Sequence, residues 1–256
     1  MLGGIMSRLY LRKGEVRSNY AVGTWQSVMF SEFEAQMSSE ARPFPCVFGV
    51  AGYHQDQLRY LFLDPYDVEV LGGQLGQFVA ESRTFGPNTS LVVFTRPRPL
   101  QTLDTYYRKM WSTLDQLARL DKTPWPAEIP EQIDHPMWEF SFAGEPIFVV
   151  CSTPGHVMRQ SRRSSAFMLT FQPRWLFGKI LGTEKAAAAA FAKVRKRLIP
   201  YDSTSPSPLL GRYGSHDGRE YQQYFLRDDN LAGGGCPFAK LALNKTSQNE
   251  DREQAA

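Results

Sequence analysis

Apolar residues recur along this chain with helical and strand periods. From Trp25 to Met37 the positions Val28, Met29, Phe33 and Met37 fall at helical spacing, with Glu32 and Glu34 between them. This predicts an amphipathic helix that stops before Pro43 and Pro45. Cys46 to Gly52 is almost wholly apolar and reads as a buried turn or short helix. Leu58 to Leu63 alternates and ends at Asp64-Pro65, as a strand does. Val68, Leu71, Leu75, Phe78 and Val79 predict a second helix over residues 67–81. Ser90 to Thr95 is β-branched and predicts a strand closed by Pro97 and Pro99. The strongest helical stripe runs from Leu103 to Leu120 through Tyr107, Met110, Trp111, Leu114 and Leu117.

In the second half, a proline-rich loop leads to Asp134. Trp138 to Cys151 then reads as a hairpin turning at Ala143-Gly144-Glu145. Its second arm is continuously apolar, which predicts a place inside a sheet. Ala166 to Phe171 is a further strand. Lys185 to Leu198 is an alanine-rich helix with basic residues toward its end. Helices and strands mix without strict alternation. The expected fold is therefore α+β, a mixed and largely antiparallel sheet flanked by helices. Residues 1–22 read as a flexible N-terminal arm, 23–244 as a single domain and 245–256 as a disordered polar tail.

Composition narrows the function classes. The chain has 256 residues, 42% hydrophobic and 13% aromatic, with a net charge of +3. That is too apolar for a disordered chain and too mildly basic for a nucleic-acid binder. No apolar run of about 18 residues is present, so no membrane span is expected. No secretory signal is read at the start, and three widely spaced cysteines suit reduced thiols. A cytoplasmic location is expected.

Familiar catalytic motifs are missing. There is no GxGxxG, Walker loop, HExxH or GxSxG, and Gly233-Gly234-Gly235 leads into Cys-Pro rather than a helix. His54, His135, His156 and His216 form no pair at metal-ligand spacing. One segment stands out. After the hairpin come His156, Arg159, Arg162 and Arg163, followed by another strand. A neutral imidazole can give one axial bond to iron, and guanidinium groups hold carboxylates bidentately. On spacing alone, a surface loop with solvated arginines and a hydrogen-bonded histidine is the favoured reading.

Several separated blocks together resemble the YqcI/YcgG family over roughly residues 25–240. They are Phe44-Pro-Cys46-Val-Phe, Trp111 with the Asp121 to Pro126 loop, and Trp138-Glu-Phe-Ser-Phe-Ala-Gly-Glu-Pro-Ile-Phe. His156, Arg159, Ser161 and Arg162 with Phe171-Gln-Pro-Arg follow, and then Cys236-Pro-Phe-Ala. Several members of that family are haem-dependent N-oxygenases. They hydroxylate the guanidino nitrogen of arginine or a similar amino acid in small natural-product pathways, including that of D-cycloserine.

The resemblance implies a b-type haem held in a pocket between sheet and helices, so that residues 23–244 would form a haem-binding catalytic domain. It implies L-arginine or a related guanidine as substrate. It also implies O2 with electrons from an external reductase, or peroxide, because the chain shows no flavin or nicotinamide motif. Neither a nucleic acid nor a membrane is expected as partner, and assembly as a homodimer is allowed for. His156 is carried over as the iron ligand, with His54 and then His216 as alternatives and His135 structural. Arg159, Arg162 and Arg163 are the candidates for haem propionates. Cys236, followed by Pro, stays open as a thiolate ligand in place of a histidine, but both it and Cys46 are read first as buried packing residues.

A guanidinium substrate also needs a carboxylate and an aromatic wall. Glu32 is the first choice for that catalytic role, with Trp25 and Met29 as its wall, ahead of Glu139 and Glu145. Trp111 and Trp138 read as core. Two other functions stay open: a haem-binding sensor or carrier without turnover, and a haem-free interaction protein.

Overall fold

The structure is a computed structural model and describes residues 7–180, 184–211 and 213–231. Its elements in chain order are α1 (Lys13–Asn19), α2 (Trp25–Ser38), α3 (Val47–His54), β1 (Arg59–Leu63), α4 (Val68–Glu81) and β2 (Leu91–Thr95). They continue with α5 (Leu103–Leu120), β3 (Ser141–Phe142), β4 (Glu145–Ser152), β5 (Met168–Pro173), α6 (Trp175–Ile180) and α7 (Glu184–Tyr201). The strands form one sheet in the order β1-β2-β5-β4-β3. β1 and β2 pair parallel, and the other three pairings are antiparallel. The fold is α+β with a mixed, largely antiparallel sheet, as the sequence predicts.

The periodic segments form where expected because both faces of the sheet need cover. On one face Leu61, Val93, Leu169, Phe171, Val149 and Ile147 pack against Leu71, Leu75 and Phe78 of α4 and Met110, Leu114 and Leu117 of α5. α5 keeps its predicted bounds, capped by Thr102, whose side chain accepts from the Thr105 amide. On the other face Tyr60, Val92, Phe94 and Met168 meet Met29, Phe30, Phe33 and Met37 of α2 and Tyr53 of α3. The hairpin turns at Ala143 and Gly144, both with positive φ.

On that second face α2 and α3 cover β1, β2 and the start of β5 at Met168. Toward β4 and β5 it carries Phe148, Val150 and Gln172, and these line a cavity bordered by α7. β4 lies between β5 and β3, inside the sheet.

The expected flexible arm is corrected by the structure over residues 7–22. Tyr10 is fully buried, Leu11 bridges to Tyr60, and α1 buries Val16. α1 offers a single apolar residue, so periodicity cannot reveal it. Residues 1–6 and the tail 245–256 lie outside the described residues. Among the described residues no helix is long and apolar enough to cross a membrane.

Candidate functional site

The cavity has a volume of about 420 Å³, the size of a small-molecule site. Phe148, Val150 and Gln172 line it from the sheet, Arg174 from between β5 and α6, and Phe191, Val194 and Leu198 from α7. Cys46 lines it from the start of α3, and Arg162 from the turn after β4. Tyr213, Glu220 and Gln223 complete it from the last described segment. Most of this wall is apolar, so each polar group on it stands out.

The three candidate arginines separate. Arg159 is fully buried but committed to the protein. Its Nε donates to the Arg227 carbonyl at 3.0 Å, Nη2 to Asn230 at 2.5 Å, and Nη1 lies 3.5 Å from Asp202. Arg163 donates to the carbonyls of His156 at 3.0 Å and Pro154 at 3.4 Å. Arg162 alone reaches the cavity. It is 8% exposed. Among the described residues it makes one side-chain hydrogen bond, from Nη2 to the Gln223 carbonyl at 3.2 Å, and no ion pair. Burial lowers its pKa to about 10, and the neighbouring Arg159 cation adds to the fall. A buried guanidinium with free donors at a cavity wall is suited to an anion.

His156 is placed otherwise than the sequence expectation requires. It is 0% exposed, and both ring nitrogens are engaged: Nε2 with the Leu226 carbonyl at 3.0 Å, Nδ1 with the Thr153 hydroxyl at 2.9 Å. A carbonyl only accepts, so Nε2 carries the hydrogen and Nδ1 accepts from Thr153. Burial pushes the ring's pKa down to about 4, so it is neutral. Neither nitrogen has a lone pair left for iron, and His156 is not on the cavity wall. The loop around it is held by Asp228, whose carboxylate accepts from the amides of Val157, Met158 and Arg159 at 2.8–3.0 Å.

The acids divide as sharply. Glu32 lies apart from the cavity and accepts from the Ser165 amide at 3.2 Å. Trp25, its expected partner wall, packs on Phe62, and Met29 is core. Glu145 pairs with Arg83 at 2.9 Å. Glu139 is fully buried and binds Arg174 through two contacts of 2.5 Å. Arg174 also holds Glu220 at 2.6 Å. One guanidinium thus serves two buried carboxylates. Burial raises the pKa of both acids, and the Arg174 cation pulls both back down. Arg174 stacks 3.7 Å from the Tyr213 ring centroid.

Glu220 escaped sequence reasoning because nothing local marks it. In the sequence Arg174 stands out only within Phe171-Gln-Pro-Arg, and the apolar neighbours of Cys46 mark it as packing. His54 is exposed at the end of α3 and touches Tyr53; His216 is exposed beside Asp217; His135 accepts from the Met137 amide. Trp111 and Trp138 are core, as expected. Cys236 lies outside the described residues.

A b-type haem needs an apolar slot, a cation for its propionates and an axial donor. The cavity supplies the first in its phenylalanine and aliphatic walls and the second in Arg162. For the third it offers the Cys46 sulfur and no histidine. The residues present therefore fit such a group, with a sulfur donor in place of the expected imidazole.

The chain matches relatives over nearly its whole length. It is 37% identical over 249 residues to the uncharacterized protein YcgG of Bacillus subtilis (strain 168), covering 94% of this chain and 97% of that one. It is 37% identical over 244 residues to the uncharacterized protein YqcI of the same strain, covering 92% and 96%. A protein of Streptomyces lavendulae named putative N(omega)-hydroxy-L-arginine synthase DcsA is 27% identical over 225 residues, 84% of each chain. No solved structure matches. The profile of the YqcI/YcgG family covers residues 33–239, and the chain belongs to that family.

Proposed function

We propose that this chain is a haem-dependent N-oxygenase that hydroxylates the guanidino nitrogen of L-arginine or a related guanidine. One observation carries the reading. A single apolar-walled cavity is lined by a buried guanidinium that has no carboxylate partner among the described residues, Arg162, and by Glu220 with Arg174, whose guanidinium also holds the buried Glu139 behind the wall. The name of the Streptomyces relative, 27% identical, agrees with it.

A bound haem would supply activation of O2, with two electrons from an external reductase, or use of peroxide. The chain's own part is positioning. Arg162 would hold a haem propionate through its free donors. Glu220, one of two carboxylates sharing a single cation, would accept two hydrogen bonds from the substrate guanidinium. Phe148, Phe177 and Phe191 would keep water from the reacting nitrogen, which strengthens both charge contacts.

The test is an absorption spectrum of the purified full chain after haem reconstitution. Titration with L-arginine and mass analysis of products with reductant and O2 follow. A Soret band, a spectral response to arginine and a hydroxylated product are expected. Absence of a Soret band overturns the haem reading, and a band without product leaves a sensor or carrier.

A further inference from the structure

The reading above needs an axial donor, and His156 cannot serve: its two nitrogens are spent on Leu226 and Thr153, and its ring is off the cavity wall. Cys46 has the placement that His156 lacks. Its side chain is enclosed by protein yet keeps accessible surface, because that surface is cavity wall. It is the cap of α3, and its sulfur accepts from the Gly49 amide at 3.3 Å. Burial raises the pKa of the free thiol, and the amides at the helix start together with the facing Arg162 cation oppose that rise. Facing the same space is Arg162, more than nine-tenths buried, with a single carbonyl partner and no ion pair among the described residues. That guanidinium marks the cavity as a place for an anion, independently of the thiol.

Resting on the haem-dependent reading, we infer that Cys46 is the protein ligand to the haem iron, as a thiolate, with Arg162 neutralising a propionate of the same group. On ligation the S–H bond breaks, the sulfur keeps the electron pair and gives it to iron, and the proton leaves to water. The ferrous–CO complex reads the ligand directly, because a thiolate donates far more charge to the iron than an imidazole does and moves the Soret band strongly to the red.

The experiment uses the full chain reconstituted with haem. The wild type is expected to give the red-shifted ferrous–CO band. Cys46→His should move the band back to the imidazole position, and Cys46→Ser should lose the shift or the haem. His156→Gln and Cys236→Ser should keep the red-shifted band. Far-UV circular dichroism of each variant separates loss of ligand from loss of fold. Should Cys46→Ser and Cys46→His both misfold, the wild-type band with the His156→Gln and Cys236→Ser spectra still decides. An unshifted wild-type band with haem bound overturns the cysteine assignment and leaves the haem reading standing. So does a red shift that disappears in Cys236→Ser. A wild type with no Soret band overturns both.

Discussion

The Nε2 of His156 donates to the carbonyl of Leu226 across 3.0 Å, tying the loop after β4 to a segment seventy residues later. Thr153 fixes the other nitrogen, so the ring is a neutral bolt. Its pKa falls from an ordinary 6.5 to about 4 because it is buried. An unfolded chain takes up this proton near pH 6.5, and the folded ring refuses it until about pH 4. Stability is therefore complete above pH 6.5, falls as pH drops toward 4, and levels below. The fall from this ring amounts to about 3 kcal/mol. His156→Gln should be less stable at pH 7 yet lose less between pH 7 and pH 4.5. Urea unfolding at several pH values checks this, and equal losses in both proteins would refute it.

Arg162 yields a prediction with opposite signs in two states. A buried cation without a counter-ion is unfavourable, so Arg162→Met should leave the ligand-free protein equally or more stable. The same change should weaken haem binding by about ten- to a hundredfold, the worth of a charge-assisted hydrogen bond. Thermal unfolding without haem and haem titration measure the two arms. A strongly destabilised apoprotein would show that Arg162 is structural.

Gly52 sits where α3 meets the loop before β2. A Cβ there would lie 2.2 Å from the Asn88 carbonyl oxygen and 2.8 Å from Leu58. Backbone cannot retreat as a side-chain tip can, so Gly52→Ala must shift α3. A cost of about 1–3 kcal/mol is expected. Because α3 begins at Cys46, haem retention should fall as well. Chemical denaturation and the Soret absorbance per chain are the readouts; a variant matching wild type in both would show that α3 is not rigidly seated.

Much of the scaffold is legible because its stripes are long. α5 buries Tyr106, Met110, Trp111, Leu114 and Leu117 on one face, and no strand pattern competes with that spacing. α1 is hidden because it buries only Val16. The site is harder to read because its chemistry is not local. His156 and its three arginines look like one constellation in sequence, yet chain reversals within the loop point Arg159 at Asp202 and Arg227, Arg163 at backbone carbonyls, and Arg162 at the cavity. Cys46 lies more than a hundred residues before Arg162, and Glu220 more than forty after Arg174. No spacing rule joins them, and only the open half of the sheet brings them together.

Arg174 offers the last test, because it holds two acids with one charge. Among the described residues, its contacts to Glu139 at 2.5 Å and Glu220 at 2.6 Å are the ion pairs of these two acids, and Gln223 adds a neutral hydrogen bond to Glu220. Removing the cation leaves two buried acids facing one another, and Arg174→Ala should cost about 3–5 kcal/mol at neutral pH. Glu139 already has a raised pKa with Arg174 present, so without it both acids should protonate more readily. An acid raised on folding binds its proton more tightly in the folded state, so the loss should shrink as pH falls. Glu220→Gln behaves differently. Arg174 keeps Glu139, and stability should change by less than about 1 kcal/mol. If Glu220 receives the substrate guanidinium, this variant should bind haem normally and lose its spectral response to L-arginine. Glu32→Gln, away from the cavity, should keep that response. Equal arginine responses in wild type and Glu220→Gln would move the guanidinium site off Glu220 while leaving the charge cluster intact.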